Sequence, residues 1–234
     1  MSEHITVKHC ADLAAAPEEF RTACSKLVIS HAVNELYGAQ VFDEPAIALA
    51  PTPYAKWLTC RVAMEEYGHH VRFRELGEEM GIAPEKMTPQ EKRPLSIFAF
   101  PLRSWEEFCV IKLLADLAEI LQVEDLLHCA FHPLRNLARM TMPEERFHSE
   151  FGVEMCEDIL AKDGVKAKAK MQKYVDQLFP HMARFFGGAD SKNNAIYRKW
   201  GIKKRTNEEM RADYIRRAKE VVEGRFGLKL PAVN

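Results

Sequence analysis

The chain has 234 residues, 47% of them hydrophobic, and its 34 acidic side chains nearly cancel its 33 basic ones, leaving a formal net charge of −1. That length and apolar content suffice for one sizeable core, so a single domain over residues 1–234 is expected. The balanced charge gives no global field to draw in nucleic acid or a membrane surface, and neither is expected as a partner.

Cysteines 10, 24, 60, 109, 129 and 156 form no Cys-x-x-Cys pair and sit in periodic apolar segments, the usage of a reducing compartment. The first residues, MSEHITVKHCADLAAA, lack a basic region before a long apolar run. No stretch approaches the roughly 20 apolar residues of a membrane span, and a cytoplasmic location is expected.

Apolar residues recur at intervals of three and four while strand-like alternation is nearly absent, which predicts an all-α fold. The first helix is predicted over about 17–41, opened by Pro17 and followed by the breaker-rich DEPAIALAPTP. The second covers about 54–80 and stops at Gly81 and Pro84. Next comes GIAPEKMTPQEKRPLSIFAFPLRS, whose four prolines and length fit a crossover better than a tight turn.

A third helix is expected from Ser104, with Ser104 and Glu107 in capping-box spacing, to about 131, where Phe131, His132 and Pro133 break it. The fourth runs to about 162 and ends in KDG. Two short connections flanking one long one give the connectivity of a ferritin-like four-helix bundle, with a core at about 17–163. Further helices follow over about 164–234, and the basic IYRKWGIKKRT among them reads as a solvated face.

Within EEYGHH, Glu66 stands three positions before His69, and in MPEERFHSEFG Glu145 stands three before His148. Residues three apart on a helix leave the same face, so each Glu-x-x-His presents an oxygen and a nitrogen to one point. A dinuclear site in a bundle also needs a carboxylate from each of the other two helices. Its place is about 30 residues upstream, half a helix, a turn and half a helix for helices of about 25.

Glu35 lies 31 residues before Glu66 and Asp116 lies 29 before Glu145. Glu35 has Val28, Ala32, Ala39 and Phe42 on its face, with His31 and Gly38 beside it; Asp116 has Cys109, Leu113, Ile120, Val123 and Leu127. Glu119 shares its face with Lys112 and Gln122 and reads as wetter than Asp116. It is placed behind the ligands, together with His31.

His70 also lies near Glu66, but Ser149 occupies the matching place after His148, which favours His69. Glu65 and Glu144 have Gly68 and Phe147 three positions on, and either face away or stand behind the ligands. Pro143 marks either a helix restart capped by Thr141 or a bulge beside the metal.

Four carboxylates without partners are costly to bury, and two divalent ions would neutralise them. Oxygen and imidazole donors without thiolate suit two iron ions, with manganese as the alternative, better than structural zinc.

With these residues in place, the sequence resembles the catalytic A subunit family of phenylacetyl-CoA epoxidase and its relatives among ferritin-like di-iron monooxygenases. The resemblance rests on SHAVNELYGAQ, EEYGHHVRFRELGEEMG, LLADLAEILQ and EERFHSEFG, and covers about 30–160. An aspartate on the third helix is similar to that family's pattern and favours Asp116 over Glu119. The resemblance implies a di-iron centre held by Glu35, Glu66, His69, Asp116, Glu145 and His148. It further implies activation of dioxygen, oxygenation of an aromatic or other acyl-CoA-like substrate, a separate electron-donating reductase, and a related non-catalytic subunit or a homo-oligomer. A ferritin-like metal-binding or storage protein and a manganese catalase-like enzyme are the competing readings of the same bundle.

Overall fold

The computed structural model describes residues 5–89, 98 and 101–233. Among them the only β pairing is one parallel bridge between Val7 and Phe131; the rest of the regular structure is helical. In chain order these are α1 (Glu18–Gly38), α2 (Glu44–Leu49), α3 (Pro53–Glu79), α4 (Trp105–Ile111), α5 (Leu117–Leu126), α6 (His132–Ala183), α7 (Lys192–Lys199) and α8 (Asn207–Lys219). A π turn, Ala39–Asp43, joins α1 to α2, and a second, Lys112–Asp116, joins α4 to α5.

The first π turn explains why the first helix outruns its predicted end at 41. Glu44 N–H bonds Ala39 O, five residues back, and Pro45, which has no N–H to offer, follows where the helix is already irregular. The chain breaks only at Ala50, and Thr52 then caps α3 by accepting from Ala55 N at 3.1 Å. At the other end Gly81, at φ +78°, lets Ile82 N bond Gly77 O and Gly81 N bond Glu78 O, each at 2.9 Å. That is a Schellman stop, reached with glycine because the left-handed backbone costs it nothing. Of the crossover predicted over 81–104, residues 90–97, 99 and 100 lie outside the described residues.

Ser104 caps α4 by accepting from Glu107 N at 3.2 Å, while Glu107 reaches back to Arg103 N at 2.8 Å, one residue earlier than the expected box. The helix that begins there ends at Leu126, short of the predicted 131. The intervening backbone bonds other segments instead: Ala130 N to Gly201 O at 2.9 Å, Val7 N to Ala130 O at 3.0 Å and His132 N to Val7 O at 2.9 Å. The fourth helix reaches its predicted end at KDG, where Gly164 leaves helical geometry (φ 50°, ψ −118°), and a second helical segment of α6 follows directly and runs to Ala183. Pro143 marks neither a restart nor a bulge, because α6 runs through it; Pro143 and Arg139, whose carbonyl loses its donor, are both exposed to solvent.

α1 packs along α3 in an antiparallel hairpin, with His70 Nδ1 2.8 Å from Ala32 O, and α4 and α5 pack along α6. This pairing is consistent with a ferritin-like bundle. One apolar cluster joins Phe20, Leu27, Phe73 and Phe131; another joins Phe108, Leu114, Phe151, Phe179 and Tyr214.

The basic C-terminal stretch is a solvated face only in part: Arg198, Lys199 and Lys204 are exposed, but two of its basic side chains turn inward. Lys203 is buried against Gln122, Arg205 Nε lies 3.3 Å from Asp125 Oδ1, and α8 sends Tyr214 Oη to donate to Leu114 O at 3.1 Å. These contacts fasten α8 onto α5 and the second π turn. No described helix is long and apolar enough to cross a membrane.

Gly152 on α6 fixes how closely that helix meets the second π turn, since a Cβ there would lie 2.5 Å from Leu113 N and 2.9 Å from Lys112 C. Backbone cannot yield as a flexible side chain can. Gly152→Ala is expected to destabilise by about 1–3 kcal/mol, whereas Gly188→Ala, with nothing within 4 Å, should stay within about 0.5 kcal/mol. Denaturant unfolding of the two variants checks this, and equal midpoints would contradict it.

Candidate metal centre

The structure brings all six sequence-predicted ligands together. Glu35 comes from α1, Glu66 and His69 from α3, Asp116 from the end of the second π turn, and Glu145 and His148 from α6. His69 and His148 are fully buried and Glu145 is 1% exposed. One donor atom each from Glu35, Glu66, His69 and Glu145 lies within 4.8 Å of the others, and the same holds for Glu66, Asp116 and His148. Glu66 belongs to both groups and stands between two potential cation positions.

His69 Nδ1 is 3.1 Å from Glu145 Oε1, 3.5 Å from Glu66 Oε2 and 3.6 Å from Glu35 Oε2. His148 Nδ1 is 3.1 Å from Glu66 Oε1 and 3.9 Å from Glu145 Oε2. Among the described residues neither nitrogen makes a hydrogen bond of good geometry, nor do Glu145 Oε1 and Asp116 Oδ2, whose ionic neighbours are His69 Nδ1 and the Lys112 ammonium. Buried polar atoms are rarely left so, and a cation among them would satisfy all four.

The outward nitrogens show why these rings present Nδ1 inward. His69 Nε2 meets Glu144 Oε2 at 2.8 Å, and His148 Nε2 meets Glu65 Oε2 at 2.9 Å. The support is crossed: the first glutamate of each Glu-Glu-x-x-His run holds the histidine of the other run. A carboxylate on Nε2 keeps a proton there and leaves Nδ1 as the atom that, once deprotonated, offers its lone pair to a metal. Arg72 in turn grips both oxygens of Glu144, at 2.6 and 3.0 Å, while Arg61 Nε bonds Glu65 Oε1 at 2.9 Å and lies over the Phe147 ring.

The electrostatics of the site follow from burial and these contacts. Burial alone would push His69 down, but the carboxylates of Glu144, Glu145, Glu35 and Glu66 raise it well above the usual range. Burial likewise opposes charge on His148, yet Glu66 and Glu65 raise it to about 10. Glu145 is pushed up to about 7 and Asp116 well above its ordinary value, both chiefly by burial. Burial also raises Glu66, but Lys112 and His148 outweigh it and hold that carboxyl well below the usual range. Glu144, which burial would raise, is held at about 2 by His69 and Arg72.

His31 and Glu119 stand behind Glu35: His31 Nδ1 is 3.1 Å from Glu119 Oε1 and 3.7 Å from Glu35 Oε1, and its ring stacks on Phe73. His70 turns away to the backbone of Ala32.

Two residues escaped the sequence reading. Lys112, expected on a wet face with Glu119, is only 3% exposed, and its Nζ lies 2.7 Å from Glu66 Oε1 and 3.0 Å from Asp116 Oδ2. It also lies 3.2 Å from Oδ1 of buried Asp43, at the end of the first π turn. The wider π turn takes more residues per revolution, which carries Lys112 from the Glu119 side to the Asp116 side. The only local signal is the four-residue Lys112–Asp116 spacing.

A cavity of about 90 Å³ adjoins the cluster. Glu35, Glu66, Asp116 and Glu145 line one side, while Phe42, Phe98, Ile111, Ala115, Met182 and Phe185 supply apolar surface.

The class is thereby defined: an all-helical protein with two crossed Glu-Glu-x-x-His runs and two further carboxylates enclosed among its long helices. The chain belongs to the phenylacetic acid catabolic protein family, which it matches over residues 7–234. It is 28% identical over 205 residues to the A subunit of 1,2-phenylacetyl-CoA epoxidase from Escherichia coli (strain K12), covering 85% of this chain and 66% of that one. It is 25% identical over 227 residues to benzoyl-CoA oxygenase component B of Aromatoleum evansii, covering 84% of this chain and 48% of that one. The chain thus spans just under two thirds of the first relative and about half of the second.

If Glu65 and Glu144 orient the histidines, Glu65→Gln and Glu144→Gln should each weaken divalent-metal affinity by about 10–100-fold with the helical content unchanged. Competition with a chromophoric chelator measures this. Affinity equal to that of the parent protein would show that neither carboxylate acts through its histidine.

Proposed function

We propose that this chain is a di-iron oxygenase of the phenylacetyl-CoA epoxidase type, acting on an aromatic or other acyl-CoA-like substrate. The observation that carries the reading is the pair of inward, unpartnered Nδ1 atoms facing buried carboxylates, each ring backed by the other motif's glutamate. Glu35, Glu66, His69 and Glu145 would hold one iron ion, and Glu66, Asp116 and His148 the other. Bound there, two iron ions would supply the redox chemistry that activates dioxygen, which side chains alone lack.

The chain's own residues set the conditions for that chemistry. Four carboxylates balance the charge of two divalent ions, and the donor set without thiolate favours iron or manganese. The carboxylates of Glu65 and Glu144 fix which nitrogen of each ring faces inward. Phe42, Phe98, Ile111, Met182 and Phe185 make a water-poor wall beside the ligands, suited to an apolar substrate group. Family membership, and relatives named as an oxygenase component and as part of an epoxidase, support oxygenation of an acyl-CoA over storage. The words subunit and component in those names support partner polypeptides, which the proposal takes to be a separate reductase and a related non-catalytic subunit.

Anaerobic ferrous reconstitution tests the reading. The protein should take up about two irons per chain and then consume oxygen faster when a reductant and a suitable member of an acyl-CoA panel are supplied. His148→Ala should lower the iron content to about one or less, whereas His70→Gln should keep it, since His70 faces α1. Less than one iron per chain in the parent protein would contradict the proposal.

A further inference from the structure

The two halves of the cluster differ in a way that the ligand set alone does not explain. Among the described residues no lysine or arginine pairs with Glu35 or Glu145; their ionic neighbours are histidines. The Glu66, Asp116 and His148 half, by contrast, is bridged by the ammonium of Lys112, at 2.7 Å from Glu66 Oε1 and 3.0 Å from Asp116 Oδ2. A fixed positive charge therefore stands against the donors that a second cation would need.

Asp43 supplies the other part of the device. It is 3% exposed and lies 3.2 Å from the same Nζ, but it belongs to none of the groups whose donors converge on a common point. Beyond this ion pair, its Oδ1 makes no hydrogen bond of good geometry. Lysine has a flexible four-carbon stem, so its ammonium can lean toward Asp43 when Glu66 and Asp116 turn to a metal. The pair joins side chains from the ends of the two π turns, Asp43 closing the first and Lys112 opening the second.

We propose that Lys112 and Asp43 form an internal counter-ion that makes the two metal positions fill in order. The position of Glu35, Glu66, His69 and Glu145 fills first. The position of Glu66, Asp116 and His148 fills second and more weakly, after the ammonium has shifted to Asp43. The charge of Lys112 is the same before and after; what changes is which carboxylate it neutralises. The inference rests on the metal-centre reading above.

The test is an anaerobic equilibrium titration of the whole chain with Mn(II), free ion being followed by its paramagnetic resonance signal. The parent protein should bind two ions in steps separated by about tenfold or more, the size of effect expected when like charges share a buried site. Lys112→Met keeps the stem but removes the charge, and should tighten the second step by about tenfold while leaving the first nearly unchanged. Asp43→Asn removes the alternative partner and should weaken only the second step. Circular dichroism of each variant establishes that it is folded, and Lys112→Gln serves where Lys112→Met is not.

Two steps in the parent that are unmoved by the loss of Lys112, or a second step weakened by that loss, would overturn the ordering. Absence of binding in the parent and all variants would overturn both the ordering and the metal-centre reading.

Discussion

Everything in this bundle is arranged around one electrostatic constraint: five carboxylates, from Glu35, Asp43, Glu66, Asp116 and Glu145, are each at most 7% exposed. Isolated carboxylates at that depth are too costly to keep ionised, and the cluster answers in several ways at once. Lys112 is buried among three of them, the two histidines accept protons, and Glu145 and Asp116 are pushed toward their neutral forms. A helical core without a ligand has no use for such an arrangement. The same groups become mutually compatible once divalent cations replace protons, which is why the charge pattern points to a metal.

The backbone has been bent to serve this cluster. Each of the two long helices that contribute a lone carboxylate carries a π turn near it, and these turns swing Asp43 and Lys112 inward. Such turns weaken the local hydrogen-bond ladder and need support from outside the helix. The support is visible: Gly152 allows α6 to lie directly on the backbone of Lys112 and Leu113, and Tyr214 from α8 donates to the carbonyl of Leu114. The C-terminal helices are therefore coupled to the site through one turn of backbone. Met182, at the far end of α6, and Phe185, just beyond it, also line its cavity.

How legible the molecule was in its sequence depended on the range of each signal. The two Glu-x-x-His runs are local patterns, and counting back by one helical hairpin reached Glu35 and Asp116 because the hairpins are regular in length. The Schellman stop at Gly81 and the cap at Ser104 are likewise written in adjacent residues. The π turns are not, since one extra residue in a turn shifts the phase of the helix without changing its composition. Lys112 therefore read as wet and Asp43 as part of a breaker. The crossed roles of Glu65 and Glu144 depend on how α3 lies against α6, which no single helix discloses. Gly164 ends the fourth helix where its sequence says, but does not announce that a second helical segment follows at once, kept against the core by Met171, Val175 and Leu178.

The central claim is that this cluster is a dinuclear metal site sharing Glu66. Anomalous diffraction from crystals grown anaerobically with Mn(II) tests it most directly. The account predicts two peaks about 3.5–4 Å apart, one among Glu35, Glu66, His69 and Glu145 and one among Glu66, Asp116 and His148, with the Lys112 ammonium drawn toward Asp43. A map with no peak among these side chains, and Lys112 still resting on Glu66 and Asp116, would contradict it.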